Sequence, residues 1–208
     1  MTTLIKILVT SLLSLSLFSC NFDMNFTGVK GNGNIQLENR TLNQSFNAIK
    51  ASQGLEVYIT QGNEESIVIE ADENLLELIK TEVKDNELRI YAEKNIGYAA
   101  SKKIMVTFKE VSKITSTSGS DVISTNTITT SHLELNSSSG SDMKLSVNTT
   151  TLDCNSSSGS DIKISGNTEK LMADASSGSD IKASELMAVS SQVKATSGAD
   201  ITVNTAKE

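Results

Sequence analysis

A four-residue motif, Ser-Gly-Ser-Asp, recurs through the second half of the chain and constrains the fold more than any other feature. The five copies, the last reading Ser-Gly-Ala-Asp, have glycines at Gly119, Gly140, Gly159, Gly178 and Gly198. An extended chain advances about 3.3 Å per residue, so each interval between these glycines would trace a loop of roughly 65 Å. That length suits one coil of a β-solenoid, in which each coil buries its inner face only against its neighbours. We therefore predict that residues 111–203 stack as coils of about 20 residues each.

Side-chain polarity alternates with a period of two on both sides of each motif glycine. In the second copy, one parity holds Leu133, Leu135, Ser137, Ser139, Ser141, Met143, Leu145 and Val147. The residues between them are mainly charged or polar, and a period of two indicates strand rather than helix. We predict an all-β, parallel solenoid with a narrow interior. Aliphatic side chains would line most of this interior. Near the motif it would be lined by serine hydroxyls, including that of Ser139.

The aspartates that end the motifs would form a row on the outer surface if the coils stack in register. This Asp row consists of Asp121, Asp142, Asp161, Asp180 and Asp200. Its members would lie about 4.8 Å apart, where neighbouring carboxylates repel by roughly 1 kcal/mol in water. Two positions further along the coil lies a second row, the Lys row, of Lys144, Lys163 and Lys182. The flanking copies have Ile123 and Thr202 there, so the compensation of charge is incomplete.

Three roles remain open for the Asp row. Each aspartate could cap its glycine-containing bend by accepting hydrogen bonds from backbone N–H groups. Alternatively, the row and its Ser and Thr neighbours could bind a divalent cation such as Ca²⁺, which prefers oxygen ligands. The third role is a flat recognition face for a polymer or a protein partner. The spacing differs from that of the nine-residue Ca²⁺-binding repeats, which weakens the second role.

The first half of the chain contains shorter alternating segments. They predict strands around Val57/Ile59, Ile67/Ile69, Leu88/Ile90 and Ile104/Val106/Phe108. The segment 73–80 is predicted to form one short helix with Asp72 as its N-cap.

The N-terminus has the pattern of an export signal. One positive charge, Lys6, precedes an apolar run from Ile7 to Phe18, which is shorter than the roughly 20 residues that span a bilayer. The sequence Leu17-Phe18-Ser19-Cys20 resembles the lipobox of bacterial lipoproteins, in which the cysteine is acylated. We predict a signal peptide over residues 1–19 and lipidation at Cys20. Ordinary signal cleavage, with Cys20 left as a free thiol, is the alternative.

These segments place the protein in the bacterial cell envelope. Residues 20–27 would form a lipidated tether that anchors the exported protein to the membrane, most simply the outer membrane, with its surface or periplasmic exposure undecided. Cleavage removes Lys6 from the 18 basic residues, which leaves 17 against 25 acidic ones and a net charge of −8. That charge disfavours nucleic acid as a partner. With Cys20 acylated, Cys154 lacks a partner, and its apolar-side position predicts a buried thiol.

The order of these features resembles the head GIN domain family (DUF2807, auto-transporter adhesins). The matching residues, followed by the Gly-Ser-Asp repeats, are Arg40, Leu42, Phe46, Ile49, Val57, Gln61-Gly62, Ala71-Asp72, Asn74-Leu75 and Leu88. The resemblance extends over about residues 28–203. It implies a right-handed β-solenoid domain over 28–208, with 28–110 as its first part, in an exported bacterial protein. The family supplies no established catalytic residues to carry over.

A polysaccharide-cleaving enzyme is the least favoured function. Such enzymes combine carboxylates with Arg, Lys or His in a cleft, but the repeats contain no Arg and one histidine, His132. They also lack Tyr and Trp for stacking on sugars, and nothing suggests a cofactor. We therefore expect a non-enzymatic, lipid-anchored adhesive or partner-binding module with a carbohydrate or protein ligand. A passive envelope scaffold and a Ca²⁺-binding module are the alternatives.

Overall fold

The computed structural model describes residues 28–207. The predicted signal peptide (1–19), the lipidation site Cys20 and the tether (20–27) lie outside this range. Within it, thirteen strands join into one hydrogen-bonded sheet. They are β1 (Ile35–Arg40), β2 (Ala48–Ala51), β3 (Glu56–Gln61), β4 (Ser66–Asp72), β5 (Ile79–Lys84), β6 (Glu87–Ala92), β7 (Lys102–Phe108), β8 (Lys113–Thr117), β9 (Asp121–Ser138), β10 (Asp142–Ser157), β11 (Asp161–Ser176), β12 (Asp180–Ala195) and β13 (Asp200–Lys207). No helix in this range has the length and apolarity needed to cross a membrane.

The repeats form the parallel solenoid that the motif spacing predicts, with about five turns. Strands β9 to β13 are parallel neighbours in chain order. At each motif the chain folds back on itself, as the 2.9 Å distance between Ser137 Oγ and Ser141 Oγ shows. The strand segments before and after the motif therefore face each other across the core, and each long strand contributes to both walls.

The motif itself is a tight turn rather than continuous strand. Ser139 and Gly140 both have positive φ, of 58° and 67°, and the other motif copies repeat this geometry. Ser139 is exposed, so its predicted place on the inner face is wrong. The alternation keeps its phase across the motif because the turn uses two residues, which returns Ser141 to the interior.

Successive turns are hydrogen-bonded to one another. The N–H of Gly140 donates to the carbonyl of Ser158 in the next coil at 3.1 Å, and equivalent bonds join the other motif turns. The same turn occurs in the first half at Gln53 (φ 63°) and Gly54 (φ 70°). Gly54 donates to the carbonyl of Ser118 at 3.0 Å. The first half thus joins the same stack without containing the motif.

The coils of the first half do not stack in chain order. Strands β2 and β3 form a coil that lies between β6–β7 on one side and β8–β9 on the other. These pairings are all parallel, as the resemblance implies for residues 28–110. Strands β1, β4 and β5 differ, because β1 and β4 continue one wall antiparallel and β5 pairs antiparallel with β6.

The helix predicted over 73–80 is much shorter than expected. A single 3₁₀ turn spans Glu73–Leu75, and strand β5 begins at Ile79. Leu75 and Ile79 are both fully buried. Burial of these apolar side chains against the core explains why the chain returns to strand so soon.

Asp72 does not cap this turn through its side chain. Its fully buried carboxylate instead accepts hydrogen bonds from the backbone N–H groups of Gly33 (2.8 Å), Ala100 (2.9 Å) and Ser101 (2.9 Å). Burial raises the pKa of this carboxyl, but the hydrogen bonds from Ser101, Gly33 and Ala100 outweigh it and hold the pKa below its usual value. Asp72 therefore fastens two irregular segments to the end of β4.

The aliphatic side chains of all coils form one continuous core. Cys154 belongs to it and is 1% exposed, which confirms the prediction of a buried thiol. Burial raises the pKa of this thiol, so it stays protonated and unreactive. Phe46 lies in the same core, whereas Arg40 donates from Nη2 to the carbonyl of Leu76 at 2.8 Å. Both residues have packing or positioning roles.

Candidate functional site: the charged face of the solenoid

The Asp row stacks in register on one wall of the solenoid. Each aspartate is the first residue of its strand and pairs directly with the aspartate of the next coil, from Asp121 through to Asp200. None of the five carboxylates is buried. Beyond Asp121, the line continues through Glu56 to Lys103. The predicted row of outward carboxylates, one per coil, therefore exists.

The bends beside this row are closed by serine rather than aspartate. In the second copy, the N–H of Ser138 donates to Ser141 Oγ at 3.1 Å. The hydroxyl of Ser141 lies 2.8 Å from the carbonyl oxygens of both Ser138 and Ser116, the latter in the neighbouring coil. In the part of the chain that the structure describes, no backbone N–H donates to a carboxylate of the Asp row. The capping role considered for the aspartates is taken by these buried serines.

The Lys row also stacks in register, in the three middle coils. Lys182 Nζ lies 3.2 Å from the carboxylates of both Asp161 and Asp180, and these hydrogen bonds raise the pKa of Lys182. Lys163 pairs with Glu185 at 3.0 Å. Within residues 28–207, Lys144 has no carboxylate within ion-pair distance. It is thus the cation of the row that remains available to a ligand.

A shallow groove runs between the two rows. It has a volume of about 350 Å³ and is lined by the Lys row, by the first three members of the Asp row and by three apolar residues, Val122, Ile123 and Met143. Partial burial, followed by repulsion from Asp142 and Glu56, raises the pKa of Asp121 at the mouth of this groove. The groove therefore combines carboxylates, ammonium groups and an apolar floor.

The line of the Lys row continues as an apolar strip that sequence reasoning missed. Ile123 pairs in register with Lys144 on one side and with Tyr58 on the other, and Tyr58 pairs with Met105. All three side chains are partly exposed. Alternation in the sequence places Tyr58 on the outer face, between the inward Val57 and Ile59. It does not predict that Tyr58 lies beside Ile123, because that contact depends on the out-of-order coil of β2 and β3. The charged face, as defined here, comprises the Asp row, the Lys row and this apolar strip.

Metal-ligating side chains do not converge in the described range. No group of three or more His, Cys, Asp or Glu residues between 28 and 207 is placed to hold a metal ion. Between Asp161 and Asp180 the ammonium of Lys182 already occupies the position that a bridging cation would take. His132 is half exposed on the other wall, with Nε2 3.8 Å from Asp153 Oδ2.

The fold is similar to that of several solved bacterial proteins. A "putative adhesin" from Bacteroides fragilis NCTC 9343 is 23% identical, with 85% of this chain and 83% of that chain covered and a TM-score of 0.79. A "putative adhesin" from Parabacteroides distasonis ATCC 8503 is 20% identical over 83% of each chain, with a TM-score of 0.67. A "putative lipid binding protein" from the same organism is 18% identical over 84% of each chain, with a TM-score of 0.66. At these identities the likeness establishes the fold alone.

A protein-family comparison extends the likeness to the sequence. No curated protein matches the chain. The family model described as "Putative auto-transporter adhesin, head GIN domain" matches residues 45–208, which is most of the chain and includes every motif copy. The chain belongs to the head GIN domain family.

Proposed function

We propose that this protein is a non-enzymatic binding module of the bacterial cell envelope, anchored by a lipid on Cys20, that engages a carbohydrate or protein ligand through the charged face. The observation that carries the proposal is the register of the Asp and Lys rows over successive coils. It produces a flat surface on which the same charges recur about every 4.8 Å. A polymer or a flat protein surface can contact several coils at once.

The composition of the charged face supports ligand recognition. Lys144 is available for an ion pair, and the groove beside it has an apolar floor at Ile123. Tyr58 is an aromatic side chain next to that floor, of the kind that stacks on sugar rings or packs in protein interfaces. The family description as an adhesin is consistent with a binding role.

Binding through this face can be tested with one matched pair of variants. Lys144→Glu should weaken binding to a panel of immobilised polysaccharides and envelope proteins, measured by biolayer interferometry. Lys170→Glu is the control, because Lys170 is also exposed but lies on another part of the coil. Equal binding by both variants and the wild type would exclude the charged face as the ligand site, and a passive scaffold would then be the better description.

The anchor is supported by the sequence Leu17-Phe18-Ser19-Cys20, which follows the apolar run of the export signal. Cells grown with an alkyne-labelled palmitate analogue should label the wild-type protein, and Cys20→Ser should abolish the label. Cys154→Ala is the control and should keep it, because Cys154 is a core residue. Retention of the label in Cys20→Ser would rule out lipidation at this cysteine.

Exposure on the cell surface distinguishes adhesion from a periplasmic role. Protease treatment of intact cells should remove the protein if it faces the medium, with a periplasmic protein as the control for membrane integrity. Full protection on intact cells, followed by digestion after lysis, would place the protein in the periplasm and contradict adhesion to external surfaces.

A further inference from the structure

The last coil of the solenoid exposes side chains that every earlier coil buries. Val193 is 47% exposed, although it occupies an inner-face position of β12. Val189, which follows the exposed Glu169 by one coil on the outer side, is 51% exposed. One coil earlier, Val193 pairs with Ala173, which is 3% exposed. In β13, Ile201 and Val203 are also only partly buried. We call residues 189–206 the open end.

The backbone of the open end is also unpaired on one side. Among the described residues, β13 pairs with β12 alone, and the segment Ser191–Ala195 of β12 pairs with β11 alone. Both walls therefore present a free row of N–H and C=O groups. Unprotected edges of this kind pair with additional strands.

The two ends of the solenoid differ in the charges that protect their edges. At the other end, β1 carries Glu38 and Arg40, and β5 carries Lys80, Glu82 and Lys84. Charged side chains on an edge strand discourage pairing with other chains. The open end has one cation, Lys194, and one anion, Asp200, and so has no net charge although the whole chain has −7. Two open ends can therefore approach each other without net like-charge repulsion.

We propose that the open end is a self-association surface on which a second copy of this chain docks end to end about a two-fold axis. Segment 189–195 runs toward the Ser197–Gly198 turn, and segment 200–206 runs away from it. A two-fold axis parallel to the strands places the first segment of one copy antiparallel to the second segment of its partner. The two turns then lie at the same edge, and the continuous hydrogen-bonded sheet extends across the interface.

This arrangement pairs side chains across the interface as well as backbone N–H and C=O groups. Lys194 lies three residues before Ser197 and Asp200 three residues after it, and both point outward. Aligning Lys194 with the Asp200 position of the second copy also aligns Val193 with Ile201 and Ser191 with Val203, all inner-face positions. Neither Lys194 nor Asp200 has an ion-pair partner among residues 28–207. The 18 residues of each open end approach the 20 to 30 per partner of a stable interface.

Sedimentation velocity on the purified full chain tests the proposal. The wild type should sediment as a dimer, and Val193→Lys should raise the dimer dissociation constant by about tenfold or more, because it buries an unpaired charge at the interface. Leu37→Lys is the matched control, an exposed aliphatic residue of an edge strand at the opposite end (67% exposed). It should remain dimeric. The circular dichroism melt of each variant shows whether it is folded.

A charge exchange tests the pairing itself. Lys194→Asp and Asp200→Lys should each weaken the dimer, and the double variant should restore it, because the exchange leaves the complementary pair intact. A wild-type monomer at about 100 µM, well above the micromolar range of transient complexes, would overturn the proposal. So would a dimer that is equally weakened by Leu37→Lys and Val193→Lys.

Discussion

At the scale of single residues, the buried carboxylate of Asp72 has the largest structural role outside the repeats. It joins the end of β4 to Gly33 on one side and to Ala100 and Ser101 on the other. Sequence reasoning assigned it a helix cap, because an aspartate before Glu and Asn is typical of that position. Its true partners are separated from it by 28 to 39 residues, and no local pattern identifies contacts of that kind.

Asp72→Asn should lower the free energy of unfolding at pH 7 by about 2 kcal/mol, because the amide cannot accept all three N–H groups and leaves one unpaired. The pKa of Asp72 is below its ordinary value of 3.8 in the folded protein. Its stabilising contribution is therefore complete above that value and is lost as the pH falls through the folded pKa. Urea denaturation at pH 7 and at acidic pH should show the two proteins converging in stability at low pH; a constant difference would contradict this role.

Alanine substitutions at two glycines of the repeat region, Gly159 and Gly166, distinguish the cost of backbone strain from the cost of steric overlap. Gly159→Ala should cost about 1–2 kcal/mol, because φ is +68° there although a methyl group would meet no atom within 4 Å. Gly166→Ala should cost distinctly more, because its Cβ would overlap the carbonyl of Val147 in the adjacent coil. Thermal denaturation of the two variants should rank them in that order, and equal losses would show that strain alone determines both.

At the scale of elements, the geometry of the motif turn determines which side-chain positions in a coil can be predicted from the sequence. Alternation correctly places Leu135, Met143 and Cys154 inside, because period two survives a two-residue turn. It misplaces Ser139, because alternation cannot reveal positive φ at a residue other than glycine. The Asp and Lys rows follow from motif spacing and in-register stacking. Tyr58 does not, because its neighbour Ile123 lies in β9, which the chain reaches only after the five intervening strands β4 to β8.

The serines on the two sides of the turn should differ in importance. Ser160→Ala should cost about 1–2 kcal/mol, because it leaves the N–H of Ser157 without its acceptor. Ser156→Ala should cost less, because the carbonyl of Ser160 still accepts from the N–H of Asp180. The fourth copy already carries alanine, Ala175, at the position of Ser156. Chemical denaturation should therefore show the larger loss for Ser160→Ala; the reverse order would mean that the first hydroxyl closes the bend.

At the scale of the whole molecule, stability should vary along the stack of coils. Coils in the middle are held by two neighbours, whereas the open end has one. In repeat proteins the interfaces between neighbours supply most of the stability, so the terminal coil opens most easily. The charged face lies mainly on the well-supported coils, which suits a surface that must keep its register.

Amide hydrogen exchange followed by mass spectrometry should reveal this gradient. Peptides from β10 and β11 should exchange slowest, and peptides from β13 and the end of β12 fastest. If the open end pairs with a second copy, its protection should increase with protein concentration. Uniform protection along the repeats at low concentration would show that the solenoid opens as a single unit.

The out-of-order coil of β2 and β3 also determines how the chain can fold as it is made from the N-terminus onward. Both neighbours of that coil, β6–β7 and β8–β9, follow it in the sequence, so it has no coil to stack on until residues up to Phe108 have been made. The first half must therefore collapse as one cooperative unit, at the entropic cost of closing long loops. Each later repeat can pair with a coil that has already folded, so the repeats can be added one coil at a time. The chain thus begins with a nucleus of high contact order and continues by simple elongation.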